Sequence, residues 1–206
     1  MLELFSQEEE PFIPNLPDGD LQYYPAFLSL SEADKLYQHF YNKTSWQADK
    51  ITVFGKTYDQ PRLTALYAKN PTPYTYSNIT MHPSPMSKNL LNLIQKIREV
   101  NKHNFNAVLL NLYRDGKDSN GWHADNEAEL GQNPVIASIS LGEERYFHLK
   151  HRTHKEQRLK IKLKHGSLLI MGGAMQHHWL HQIPKTTKNI SPRINLTFRK
   201  IISLKK

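Results

Sequence analysis

From residue 105 onward, apolar and polar residues alternate with a period of two. The runs Phe105–Tyr113, Val135–Leu141, Arg145–Lys150, Leu159–Lys164, Ser167–Met171 and Arg193–Lys200 are therefore predicted as strands. The alternation is strict in Leu159-Lys160-Ile161-Lys162-Leu163-Lys164, which gives one apolar face and one covered by lysines. Short antiparallel strands closing a compact region predict a double-sheet jelly roll. Upstream the period becomes helical. Leu90, Leu93, Ile94, Ile97 and Val100 form one apolar stripe, and Ser84-Pro85 reads as a cap followed by a proline at the first helical position. This predicts a helix from there to about residue 102, with plain core packing as its task. Ser29-Leu30-Ser31-Glu32 reads as a capping box for a helix near 30–43, with Leu36, Phe40 and Tyr41 on its buried face. Residues 45–82 read as short strands and turns. Residues 1–28 read as irregular, with prolines at 11, 14, 17 and 25 and a turn at Pro17-Asp18-Gly19-Asp20. The expected class is α+β: an irregular segment over 1–28, supporting helices and short strands over 29–104, and a jelly-roll core over 105–206, all in one structural domain.

Composition narrows the functions open to such a fold. A chain of 206 residues suits one domain with a real core. Its 38% hydrophobic and 22% charged residues are the balance of a globular protein. No apolar run approaches the roughly 20 residues that span a bilayer, and the acidic start MLELFSQEEE is unlike a signal peptide. The expectation is an intracellular monomer with no membrane partner, cytoplasmic if bacterial and nuclear if eukaryotic. There is no cysteine, so disulfides, thiolate zinc sites, iron–sulfur clusters and a cysteine nucleophile are excluded. A metal would have to be held by nitrogen and oxygen, and 11 histidines leave a choice. The formal charge of +8 favours a polyanionic partner such as nucleic acid, without establishing one.

Two strands concentrate polar residues on one face. In Arg193-Ile194-Asn195-Leu196-Thr197-Phe198-Arg199 the odd positions are polar and the even ones apolar, and Asn111 shares a face with Tyr113. A surface strand would look the same. Arginines on one face can also present charge to both ends of a short dicarboxylate, because the planar guanidinium pairs bidentately with a carboxylate. His123-Ala124-Asp125, if extended, projects an imidazole and a carboxylate to the same side. With a third histidine this makes the two-His, one-carboxylate set of non-haem iron(II) sites, although zinc accepts the same ligands. His177, His178 and His181 compete for the third place.

The stretch from Phe105 to Lys200 resembles the catalytic core of the AlkB family of iron(II)- and 2-oxoglutarate-dependent DNA-repair dioxygenases. The matching elements are Asn111-x-Tyr113, His123-x-Asp125, Ser167-Leu168-Leu169-Ile170-Met171, His181 and Arg193-x-Asn195-x-Thr197-x-Arg199. The resemblance selects His181, 12 residues before Arg193, as the third ligand beside His123 and Asp125. It implies that Arg193 and Tyr113 hold the distal carboxylate of 2-oxoglutarate. Arg199 and Asn111 would support the carboxylate beside the keto group, with Asn195 a further polar contact. Upstream, Val53-Phe54-Gly55-Lys56 is similar to the apolar finger of the double-strand-preferring homologues, and Pro61-Arg62, Tyr67 and Tyr74-Thr75-Tyr76-Ser77 follow in similar order. The region 29–104 would then hold a substrate-recognition lid. Phe54, Arg62, Tyr76 and Glu127 become candidate substrate contacts: Phe54 fills a vacated base stack, Tyr76 stacks on the flipped base, and Glu127 meets its exocyclic amine or a cationic methylated ring. Tyr76 stands where relatives often carry Phe, and Asn126 where the double-strand relatives are acidic. Arg152, Lys155, Arg158, Lys160, Lys185 and Lys188 are expected as a phosphate-holding rim. The implied reaction is oxidative demethylation of 1-methyladenine or 3-methylcytosine in DNA, duplex favoured. It would be coupled to decarboxylation of 2-oxoglutarate to succinate, with Fe(2+) as cofactor and O2 as co-substrate. The alternatives are the same chemistry on RNA or single strands, a non-catalytic jelly-roll binding module, and a zinc hydrolase.

Overall fold

The computed structural model describes the backbone of residues 10–53, 56–70, 74–76 and 79–202, and all their side chains except those of 51–53, 56, 74–76 and 79–81. The elements in order are β1 (Asp20–Tyr24), α1 (Leu30–Lys43), β2 (Lys50–Val53), β3 (Lys56–Asp59), β4 (Leu63–Ala68), β5 (Tyr74–Tyr76), β6 (Ile79–Met81), β7 (Ser84–Pro85) and α2 (Lys88–Val100). There follow β8 (Ala107–Tyr113), β9 (Asn120–His123), β10 (Ile136–Gly142), β11 (Arg145–His151), β12 (Arg158–Leu163) and β13 (Leu168–Gly172). The chain ends with the short α3 (Met175–His178), β14 (Trp179–Ile183) and β15 (Arg193–Arg199).

Two sheets face each other as a jelly roll. The larger runs β1-β13-β10-β15-β8-β4-β7 and the smaller β12-β11-β14-β9. Alternation along each strand divides the side chains between two cores. Val108, Leu110 and Leu112 of β8 and Ile194, Leu196 and Phe198 of β15 pack toward α1 and α2, with Leu36, Phe40, Leu90, Leu93, Ile94 and Ile97. Between the sheets, Tyr113, Ile136, Leu169 and Met171 meet Phe147, Leu149, Ile161, Leu163 and Ile183. Each of the four stripe residues of α2 contributes about 1.5–3 kcal/mol by burial. A sheet covered on one side by helices and on the other by a second sheet leaves β8 and β15 buried at all seven positions. The polar stripe of β15 is therefore an interior face, and the surface-strand alternative does not hold.

Several boundaries differ from the sequence expectations. α2 starts at Lys88, and Ser87 is its cap, its Oγ accepting from Leu90 N at 3.4 Å. Ser84-Pro85 instead pairs parallel to Tyr67 and Ala68 at the sheet edge, a place where the missing proline N–H costs no ladder bond. Val100 and Tyr41 are exposed rather than core, and the Tyr41 ring stacks on Tyr37 at 5.7 Å. Residues 1–28 are not irregular throughout. β1 pairs with β13 and buries Leu21 and Tyr23, and Tyr23 Oη donates to Lys162 O of the opposite sheet. β4 and β7 also join the larger sheet, so the core draws on strands from ahead of residue 105. β9 and β14 were not expected as strands, because neither Asn120–His123 nor Trp179–Ile183 alternates cleanly.

Candidate active site

The site lies in the cleft between the sheets. In β15 the residues facing it are Arg193, Asn195, Thr197 and Arg199, and in β8 they are Leu109, Asn111 and Tyr113. Antiparallel register sets Arg193 opposite Tyr113 and Asn195 opposite Asn111. From the smaller sheet, His181 of β14 pairs with His123 of β9, and Asp125 lies just past the end of that strand.

His123, Asp125 and His181 converge, each offering one ligand atom, with all three atoms within 4.8 Å of one another. The two imidazole centroids are 4.2 Å apart. His123 Nδ1 lies 2.7 Å from Gly121 O, a contact that requires the proton on Nδ1 and leaves a lone pair on Nε2. Asn120 Nδ2 donates to that lone pair at 3.0 Å. Asp125 Oδ2 accepts from Arg199 Nη2 at 2.8 Å, and Gln176 Oε1 receives the Asp125 N–H. Asp125 Oδ1 is buried without a hydrogen-bond partner, which for a carboxylate oxygen marks a place for a cation.

The electrostatics suit a divalent metal. Burial pushes His181 down to about 3, helped by the neighbouring His123, and burial also lowers His123. Both rings are thus neutral, as ligands must be. Burial acts to raise Asp125, but the Arg199 cation and its hydrogen bond, joined by the two histidines once low pH protonates them, outweigh it and bring its carboxyl to about 2. Two neutral imidazoles and one ionised carboxylate, with an orphaned oxygen among them, fit an iron(II) ion with positions left open for other ligands.

Arg193 lines the same cleft. It is 1% exposed. Its Nη2 donates to Ser140 Oγ at 2.9 Å, while Nε and Nη1 have no partner. Burial brings its pKa down to about 10, opposed by the adjacent Tyr113 hydroxyl. A desolvated guanidinium with a free edge fits a carboxylate that arrives with a ligand. Arg145, also buried, closes this end of the cleft by donating to the carbonyls of Asp115, Asp118 and Pro184. Gly116 permits the closure, because a Cβ there would lie 2.5 Å from Thr186 O.

The other expected residues divide. His177 lies by Asn133 and His178 by His151, so neither joins the His123 group. Asn195 is occupied internally, its amide donating to Ser138 Oγ at 2.6 Å and its oxygen accepting from Thr197. Arg62, expected to meet substrate, is 4% exposed. Its Nε donates to Asn111 Oδ1 at 2.9 Å and its Nη1 to Ser119 O, so it braces Asn111 from behind. Glu127 is raised by burial and by Asp125, and its Oε2 is buried without a partner. Phe54 lies outside the described residues, as does the side chain of Tyr76. Lys185 and Lys188 stand on the loop against Gly116, at the Arg193 end of the cleft, whereas Arg152, Lys155 and Arg158 belong to the hairpin beyond His151. Asn120, Gln176, Ser140 and Arg145 were not singled out from sequence. No spacing rule marks them, and Gln176 is hidden beside two histidines that do not take part.

Asp18, His151 and His178 also lie close together. His151 Nδ1 accepts the backbone N–H groups of Thr153 and His154. The ring proton is then on Nε2, 3.3 Å from Asp18 Oδ2, and no lone pair remains there for a metal.

Fold and site fit the class of iron(II)- and 2-oxoglutarate-dependent oxygenases, and residues 20–199 match the family model of the 2OG-Fe(II) oxygenase superfamily. Iron(II), 2-oxoglutarate and O2 are the cofactor and co-substrates of that class. Bovine alpha-ketoglutarate-dependent dioxygenase alkB homolog 3 is 44% identical over 86% of this chain. The chain spans 64% of that relative's length. Mouse DNA oxidative demethylase ALKBH2 is 36% identical over 89% of this chain and 81% of its own. The solved structure of OsALKBH1 superposes with a TM-score of 0.62 over 91% of this chain and 99% of its own, at 18% identity, a likeness of fold. The chain belongs to the AlkB family within this superfamily.

Proposed function

We propose that this chain demethylates N-alkylated bases, such as 1-methyladenine and 3-methylcytosine, in DNA. The observation that carries the proposal is one cleft holding both the His123, Asp125 and His181 group and a buried Arg193 with a free donor edge. The name of the mouse relative, a DNA oxidative demethylase, supplies the substrate class.

His123 Nε2, Asp125 Oδ1 and His181 would hold iron. Arg193 and Tyr113 would take the distal carboxylate of 2-oxoglutarate, with Arg199 and Asn111 beside the other. Iron(II) held there would supply oxidising chemistry from 2-oxoglutarate and O2: 2-oxoglutarate would lose CO2, one oxygen atom would end in succinate and the other on the N-methyl carbon. The N-hydroxymethyl base then releases formaldehyde and is restored. The protein's part is position, charge and a dry pocket. Arg199 keeps Asp125 ionised and oriented, and the Gly121 carbonyl fixes the His123 tautomer. Glu127, with one buried oxygen unpartnered, is the candidate contact for the exocyclic amine.

Duplex DNA is the favoured substrate in this proposal. Methylation on the pairing edge makes a lesion cheaper to flip than an intact base. The β2–β3 pair sets Val53 opposite Lys56; Phe54, outside the described residues, would be the wedge, and Tyr76 would stack on the flipped base. A monomer working inside the cell completes the reading. Among the described residues no helix is long and apolar enough to cross a membrane. Single-stranded DNA or RNA is the second reading, favoured by the basic and aromatic outer face described below.

The test is formaldehyde release from single- and double-stranded oligonucleotides carrying 1-methyladenine. Phe54→Ala should spare the single strand and slow the duplex. Equal loss on both would remove the wedge, and no release from either would remove the function.

A further inference from the structure

The smaller sheet turns one face to the cleft and the other to solvent. Register places Tyr146, His148 and Lys150 of β11 opposite Lys162, Lys160 and Arg158 of β12, and His148 and Lys150 opposite Gln182 and Leu180 of β14. Directly opposed residues share a face, so these side chains form one outward surface. Trp122 of β9 joins it. It is 40% exposed, and Lys150 Nζ lies 4.3 Å from its ring centroid. The same motif recurs one strand beyond β14, where Lys160 Nζ lies 3.9 Å above Tyr146, itself 44% exposed. Of the cations, Lys162 is already paired with Glu144. Lys150, Arg158 and Lys160 share the face with Tyr, His, Leu, Gln and Trp, and none of these outward positions on β11, β12 or β14 is a carboxylate. Burial and the nearby Lys160 lower His148, so it adds a ring to the surface rather than a charge.

A solvated sheet face usually mixes both signs of charge. Here cations alternate with exposed aromatic rings, the combination that binds single-stranded nucleic acid through phosphates and base stacking. β9 and β11 are separated by β14, so the two rings are roughly 10 Å apart across the sheet and would take two different bases. Trp122 also adjoins His123, so a strand on this face can continue into the cleft.

The geometry points to the outer face of the smaller sheet as a docking track for an unpaired nucleic-acid strand leading to the active site, with Trp122 and Tyr146 as stacking platforms and Lys150, Arg158 and Lys160 as phosphate contacts. This rests on the second reading of the substrate proposed above, a single-stranded nucleic acid. In binding, each lysine swings from its ring to a phosphate as a base takes its place.

Fluorescence anisotropy of a labelled, unmodified single-stranded 15-mer tests this on the metal-free full chain, with thermal melts to verify folding. The triple variant Lys150→Gln, Arg158→Gln, Lys160→Gln should reduce the slope of log K against log salt by about 2, near 0.7 for each phosphate no longer neutralised. Tyr146→Ala should weaken binding roughly tenfold while leaving that slope unchanged. Wild-type affinity and slope in both folded variants would overturn the track. Equal weakening by Tyr146→Ala on a blunt duplex would overturn the stacking role. Unchanged binding in the variants beside active wild-type demethylation refutes the track alone. Lost binding beside a wild type that demethylates nothing refutes the function alone.

Discussion

Replacing Arg193 separates ligand binding from folding. Its guanidinium is buried against Tyr113, with Nε and Nη1 unpartnered and Arg145 close enough to repel it. In the proposed complex those two donors meet one carboxylate. Hydrogen bonds to charged groups contribute about 1.5–3 kcal/mol each. Arg193→Met should therefore lose about 3–6 kcal/mol of 2-oxoglutarate affinity, roughly 10²–10⁴-fold in Kd. Arg193→Lys keeps the charge and loses the fork, so it should fall between. The ligand-free protein should respond in the opposite direction. A desolvated cation without a counter-ion opposes folding, so Arg193→Met should leave stability unchanged or raise it by about 1–4 kcal/mol. Affinity is read anaerobically with Fe(II) from the visible band of the 2-oxoglutarate chelate, and stability from urea denaturation of the metal-free protein. A methionine variant that binds 2-oxoglutarate like the wild type, or that unfolds far more easily, would refute the reasoning. Arg193 would then be a structural cation whose partner lies elsewhere.

His181→Ala should abolish Fe(II) binding in an anaerobic titration, whereas His177→Ala and His178→Ala should leave it within about twofold, since neither ring reaches the group. Arg62→Met removes the donor to Asn111 and leaves a buried amide oxygen unsatisfied. The expected loss is about 1–3 kcal/mol of stability in urea melts, with a several-fold higher KM for 2-oxoglutarate. His181 titrates near 3 when folded against about 6.5 unfolded. Between those values the unfolded chain binds more protons, so stability of the metal-free protein should fall as pH drops from about 6.5 toward 3. Asp125, near 2 folded, adds a loss of the same sign below about 4. His181→Gln, followed by denaturation at several pH values, should flatten the upper part of that profile.

The sequence by itself determined which residues stand together on a strand. Period-two alternation sets Arg193, Asn195, Thr197 and Arg199 on one side of β15 and Ile194, Leu196 and Phe198 on the other, wherever that strand lies. His123 and Asp125, two residues apart, are close for the same local reason. The two helices and most strands of residues 105–199 followed from periodicity, and the α1 cap from its capping chemistry. The α2 cap, however, is Ser87 rather than Ser84, and Val100 and Tyr41 drop out of the apolar stripes. Only the tertiary structure decided that both faces of β15 are interior, because that depends on helices from residues 30–100 covering one side and a second sheet the other. It also brought His181 to His123 across 58 residues by strand register, turned Arg62 from a candidate substrate contact into a brace for Asn111, and drew Asp20–Tyr24 into the sheet. Backbone and side-chain preferences act over a few residues. Pairing between distant strands is settled by which arrangement buries the most apolar surface with every polar group partnered, and that choice belongs to the whole chain.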